Sequence, residues 1–158
     1  MPDEFVEVDG EEFFGLLATG FRLAVERLHA RLAEAGFDEI RPAHGFAFTR
    51  LSLGGATASE LAEHLGVTKQ AAGQMVDYLE ERGYVTREPH PSDRRIKLIT
   101  LAPRGRACIG VAITAKNEIA AHWARLAGIE EFAVARDVFS ALLADGDLSE
   151  QGGLRPTW

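Results

Sequence analysis

Residues 57–101 read TASELAEHLGVTKQAAGQMVDYLEERGYVTREPHPSDRRIKLITL, and their punctuation decides the fold. Thr57 and Glu60 form a capping box that opens a short helix with Leu61, Ala62 and Leu65 on its inner face. Gly66 is its stop. Thr68 then caps a second helix that reaches about Arg82, with Ala72, Met75 or Val76, and Leu79 inward, and Gly83 closes it. Two β-type stretches follow at residues 84–87 and 96–101. Between them, two prolines and a Ser-Asp pair make residues 88–95 a loop. Helix, two-residue turn, helix and hairpin, in that order, describe a helix-turn-helix with a charged loop behind it.

In such a unit the second helix lies in the DNA major groove and its first turns face base edges. The cap Thr68 and the outward residues Lys69, Gln70, Gly73 and Gln74 occupy those turns. Gln70 and Gln74 are four apart and share a face. Glutamine can bond adenine through N6 and N7 together. Gly73 lies between them without a side chain to hold the backbone off the groove floor, at a cost of about 1 kcal/mol of helix stability. The plainer reading of the same positions is a solvent-facing polar helix surface.

Outward from this stretch the chain reads as helical. A first helix spans about 11–35, with Phe14, Leu17, Phe21, Val25, Leu28 and Leu32 at spacings of three and four. A second starts at Pro42, a proline permitted in a first turn, and carries Phe46, Phe48 and Leu51 toward Gly54-Gly55. After the hairpin, two helices at about 103–127 and 130–145 flank Gly128, and a Gly- and Pro-containing tail begins at Gly146. The expected class is mainly α (α+β), a winged helix-turn-helix at about 40–101 flanked by dimerisation helices at 11–35 and 103–146, all in one domain over 1–158. A length of 158 residues, 46% hydrophobic and 26% charged, suits one globular domain. Without a run of about 18 apolar residues, a basic leader or more than one cysteine, the expected compartment is the cytoplasm.

The net charge of −7 argues against nucleic acid until it is divided. Residues 1–12 carry Asp3, Glu4, Glu7, Asp9, Glu11 and Glu12 and no basic residue, a local −6. Residues 64–107 carry eight basic residues against five acidic ones, a local +3. Charge is segregated along the chain, and a local basic patch is what phosphate binding needs. The acidic arm is expected to lie away from the duplex.

Several residue groups carry a resemblance together: Gly66-Val67-Thr68-Lys69-Gln70, residues 79–85 (LEERGYV), Pro91-Ser92-Asp93-Arg94-Arg95, and Leu101 with Pro103-Arg104-Gly105. In that order they resemble the MarR family of winged-helix transcription regulators, whose wing signature is Asp-x-Arg, then a strand, then a Leu-Thr-Pro-x-Gly entry into the next helix. The motif match covers about 57–107, and the helix order about 12–146. The resemblance implies that Arg95 enters the minor groove and Asp93 orients it, while Arg94 and Lys97 bind phosphates. Physically, a guanidinium suits the narrow groove, and a carboxylate can hold it by a two-point ion pair. The bland alternative is a solvated surface pair worth about 0–1 kcal/mol. One departure is Ala102, which stands where the family has threonine; the missing cap hydroxyl typically costs about 1 kcal/mol and blurs the start of the next helix.

The same resemblance implies a homodimer, with the outer helices interlocked through residues such as Ile109, Ile113, Ile119, Trp123, Phe132, Val138, Phe139 and Leu142. Two recognition helices then stand roughly 34–36 Å apart on a pseudo-palindromic duplex. The opposing possibility is that these helices fold back into a monomeric core. The family also implies a pocket for a small aromatic effector, with Phe21, His44, Phe48 and Trp123 as candidate lining. The expected function is a sequence-specific DNA-binding regulator, a repressor, with no membrane partner.

Two alternatives stay open: an oxidant sensor acting through Cys108 beside Arg104 and Arg106, and a winged-helix protein-interaction module without DNA binding. An enzyme is not expected, because the Gly-rich phosphate loop, GxSxG and HExxH are all missing. His29, His44, His64, His90 and His122 form no HxH, HxxxH or Cys/His cluster, so neither metal nor cofactor is expected.

Overall fold

A computed structural model describes residues 9–145. The described residues form α1 (Gly10–Glu34), α2 (Pro42–Ser52), α3 (Ala58–Leu65), α4 (Lys69–Glu81), β1 (Val85–Pro89), β2 (Lys97–Leu101), α5 (Pro103–Ala127) and α6 (Ile129–Asp145). Asp3, Glu4 and Glu7 of the acidic arm, and the tail from Gly146, lie outside the described residues.

The helix ends follow from local chemistry. The Asp9 carboxylate accepts the amides of Glu11 and Glu12 at 3.0 and 3.1 Å, giving α1 its cap. At α3 the box is reciprocal: Thr57 Oγ1 accepts from the Glu60 amide at 3.2 Å, and the Glu60 carboxylate accepts from the Thr57 amide at 2.7 Å. Gly66 closes α3 with φ 66°, a left-handed conformation that side chains resist. Thr68 Oγ1 accepts from the Ala71 amide at 3.2 Å and caps α4, which starts at the next residue.

The core lies between α2, α3, α4 and the hairpin. Phe48, Leu51, Leu61, Leu65, Val76, Leu79, Tyr84, Val85 and Ile99 are buried, and Leu32 and Cys108 join them from α1 and α5. On α4 the inward residue at the ambiguous position is Val76; Met75 is only partly buried.

Three features depart from the sequence reading or add to it. First, β1 runs to Pro89 rather than stopping at Arg87, pairing Glu88 with Leu98 and Pro89 with Lys97. Proline is tolerated there because it ends an edge strand and owes no donor to a further neighbour. Second, Ala56 makes an isolated antiparallel bridge to Ile99, with bonds of 3.0 and 2.8 Å in the two directions. This covers the inner edge of the wing, and a one-residue bridge has no periodicity to read. Third, the start of α5 is well defined without a cap hydroxyl. Pro103 occupies the first helical position, and the Ala102 amide donates to the Tyr84 carbonyl at 2.9 Å.

α1, α5 and α6 extend beyond this core. Phe13, Phe14, Leu16, Phe21, Ile113, Leu126, Ile129, Val134, Val138, Phe139, Leu142 and Leu143 on them are exposed. Folding α1 and α6 against α5 therefore leaves most of their apolar surface uncovered within the single chain. No described helix is long and apolar enough to cross a membrane.

Candidate nucleic-acid interface and effector cavity

Burial of Ala72, Val76 and Leu79 turns the opposite face of α4 outward. Thr68, Lys69, Gln70 and Gln74 are exposed, and Gly73 between them has open space where a side chain would stand. Hairpin β1–β2 sets the second part of the surface. Across it Thr86 and Thr100 share a hydroxyl hydrogen bond of 3.0 Å, and the His90 amide donates to the Ile96 carbonyl at 2.9 Å where the strands open into the loop.

At the loop, Asp93 Oδ1 accepts from the backbone amide of Arg95 at 3.0 Å. Its distance to Arg95 Nε is 3.7 Å. The expected two-point ion pair is thus replaced by a turn-stabilising bond plus one looser contact. Asp93 shapes the backbone under Arg95 while the Arg95 side chain stays 94% exposed. Arg94 and Lys97 are exposed beside it.

Arg87 is a residue that sequence reading missed. From β1 its guanidinium donates to Asp77 of α4 at 2.6 Å and also reaches Glu80 of the same helix. The two carboxylates are three apart on α4, a spacing that presents both to one cation, and that was the available signal.

A cavity of about 350 Å³ lies between α1, α2 and α5. Phe21 and Phe48 line it, together with His29, Arg41, Cys108 and Lys116. Trp123 lines an adjoining hollow of about 620 Å³ between α1, α5 and α6, which shares Phe21, Val25, Leu28 and Lys116 with the first. His44 is in neither lining and is only 7% exposed. Its Nδ1 accepts from the Arg41 amide at 3.2 Å, and its ring packs on Tyr78 at 5.1 Å between centroids. Burial foremost, then the charges of Arg41, His29 and Arg82, lower its pKa to about 4. His44 is a neutral helix-starting group in this arrangement. The four candidate pocket residues are therefore not gathered in one cavity.

Cys108 is 1% exposed, and burial pushes its thiol up to about 11 despite the nearby Arg104. A sensor thiol needs the opposite shift and access to oxidant, so the surroundings of Cys108 do not favour the oxidant-sensing alternative.

A family model described as MarR family matches residues 46–96, the span from α2 through the wing loop. Among solved structures, RV1404 from Mycobacterium tuberculosis is 28% identical with a TM-score of 0.70, over 87% of this chain and 95% of that one. The transcriptional repressor CouR, solved bound to a 23-mer DNA duplex, is 28% identical with a TM-score of 0.59, over 81% of this chain and 87% of that one. The LexA repressor of Deinococcus radiodurans is 37% identical over 67 residues, 42% of this chain. The chain spans only 30% of the length of that relative.

Proposed function

We propose that this chain, whose residues 46–96 match a MarR-family model and whose fold is that of winged helix-turn-helix regulators, binds duplex DNA as a homodimer and represses transcription from a pseudo-palindromic operator. The observation that carries this reading is the outward surface that α4 and the wing present, with Lys69, Gln70, Gln74, Arg94, Arg95 and Lys97 all exposed and the Arg87 ion pairs joining β1 to α4. On that surface Thr68, Lys69, Gln70, Gly73 and Gln74 face a major groove. Arg95, with Asp93 under it, reaches the adjoining minor groove, and Arg94 and Lys97 meet phosphates. The Arg95 side chain, 94% exposed at the wing tip, is free to enter a groove. The 28% identity to a repressor solved on duplex DNA supports the same reading.

The dimer is supported by the uncovered apolar faces of α1, α5 and α6, where Phe14, Leu16, Leu126, Ile129 and Val134 are each more than half exposed. These helices form the dimerisation part and residues 40–101 the DNA-binding part of one unit. The cavity suits a small aromatic effector carrying a negative charge, since its walls are apolar with His29, Arg41 and Lys116 and include no carboxylate.

Two measurements test this. Light scattering reads the mass in solution, where a dimer is expected and a monomer removes the assembly. Selection of genomic fragments by the purified chain is expected to recover an inverted repeat with half-sites about one helical turn apart. Binding that is indifferent to sequence and to salt removes the regulator reading.

A further inference from the structure

One tyrosine ties the recognition helix to the mouth of the cavity. Tyr78, in the second half of α4, donates its hydroxyl proton to the backbone carbonyl of Glu39 at 3.0 Å. Glu39 belongs to the turn joining α1 to α2. The Tyr78 ring is held between His44 of α2, at 5.1 Å, and the Arg82 guanidinium, 3.7 Å above the ring centre. The same turn is gripped from the opposite side by Arg104 in the first turn of α5. Arg104 donates to the Glu39 carboxylate at 2.9 Å and to the Gly36 carbonyl at 3.3 Å.

The residues that follow Glu39 are cavity walls: Ile40, Arg41, Pro42 and Gly45 line it from the turn and α2, and Cys108 and Ala112 line it from α5. Glu39 is thus the point where the cavity wall, the recognition helix and the base of α5 meet. A molecule that fills the cavity would meet this turn at Ile40 and Arg41. A hydroxyl–carbonyl bond is directional and weakens steeply when bent or stretched. It drags α4 with the turn where an apolar contact would slide.

We infer that Tyr78 is a positioning residue that makes the recognition helix follow the α1–α2 turn, so that cavity filling is read out as operator affinity. The inference rests on the reading of the chain as a DNA-binding regulator with an effector cavity.

Cavity-filling substitutions stand in for the effector, one from each wall: Gly45→Leu on α2, where an added Cβ meets nothing within 4 Å, and Ala112→Leu on α5. Each is combined with Tyr78→Phe, which keeps the ring and removes the hydroxyl. Affinity for the selected operator is measured by fluorescence anisotropy, with thermal unfolding of every variant alongside. Tyr78→Phe alone is expected to stay within about threefold of the wild-type affinity. A filler is expected to change wild-type affinity about tenfold, and to change it less than threefold in the Tyr78→Phe background, at unchanged cooperativity of unfolding. Equal changes in both backgrounds overturn the inference, as does a pair of folded fillers that leave wild-type affinity untouched. A wild-type chain that selects no operator defeats the DNA-binding reading itself, a result visible before any variant is made.

Discussion

Arg87 of the first wing strand donates to Asp77 of the recognition helix at 2.6 Å, across ten residues of chain. A second nitrogen of the same guanidinium reaches Glu80. The pairing orients the hairpin on α4 and offsets one of the two negative charges that Asp77 and Glu80 place together on that helix. Arg87→Met keeps the aliphatic stem and removes the fork. It is expected to cost about 1 kcal/mol of stability, because the carboxylates are partly solvated. Operator affinity is expected to fall more than that, by about tenfold, and protection of the minor groove at the wing position should weaken in a footprint. An unchanged footprint counts against this orienting role.

Arg95 is nearly free of the protein, so Arg95→Ala should leave the unfolding midpoint where it is and weaken operator binding by about tenfold, or ~1.4 kcal/mol. Asp93→Ala should act in the same direction with a smaller loss, since Asp93 holds the Arg95 amide rather than the duplex. Titration at physiological salt checks both. Equal affinity for Arg95→Ala and wild type would show that the wing tip does not touch DNA.

Gln70 and Gln74 should govern which bases are preferred. Replacing either by alanine is expected to cost about 1–3 kcal/mol on the selected operator and to relax one position per half-site. Lys69→Ala should instead weaken all duplexes alike and make the salt dependence shallower by about one. Repeating the fragment selection with each variant separates the two behaviours; a wild-type motif from both glutamine variants takes them off the base-reading surface.

His44 gives the fold an acid-side liability. Its folded pKa of about 4 is below the ordinary 6.5, so the unfolded chain takes up a proton first as pH falls. The stabilisation is full above about pH 6.5, declines between 6.5 and about 4, and is gone below that. It amounts to at most about 3 kcal/mol. His29, lowered chiefly by burial and opposed by a backbone bond to Ile40, acts in the same sense. His44→Gln keeps an acceptor for the Arg41 amide and cannot titrate. Its unfolding midpoint should fall less steeply from pH 7 to pH 4 than that of the wild type, and identical slopes would assign the acid sensitivity elsewhere.

At the start of α5, a Cβ on Gly105 would stand 2.2 Å from the Tyr84 carbonyl oxygen, a backbone atom with no freedom to retreat. Gly105→Ala should therefore destabilise by more than about 2 kcal/mol despite alanine's better helix propensity. Denaturant unfolding reads this directly, and a neutral or stabilised variant would mean that α5 can shift off the hairpin.

What could be read from residue order alone is what short-range chemistry encodes. The Thr57–Glu60 box, the Thr68 cap and the Gly66 stop act within four residues of themselves, so their spacing is their geometry. The outward face of α4 follows from the 3.6-residue period once Ala72, Val76 and Leu79 are inward. Partners far apart in the chain leave no such trace. The Ala56–Ile99 bridge, the Glu39 carbonyl beneath Tyr78, and the burial that raises the Cys108 thiol depend on how elements dock. His44 shows the difference most plainly. The apolar pattern of α2 marks it as an inward residue near a pocket, but packing against Tyr78 turns its ring away from the cavity and onto the Arg41 amide. A helical period says which side of a helix is buried; only the neighbouring helix decides whether a buried ring meets a void, a backbone donor or another ring.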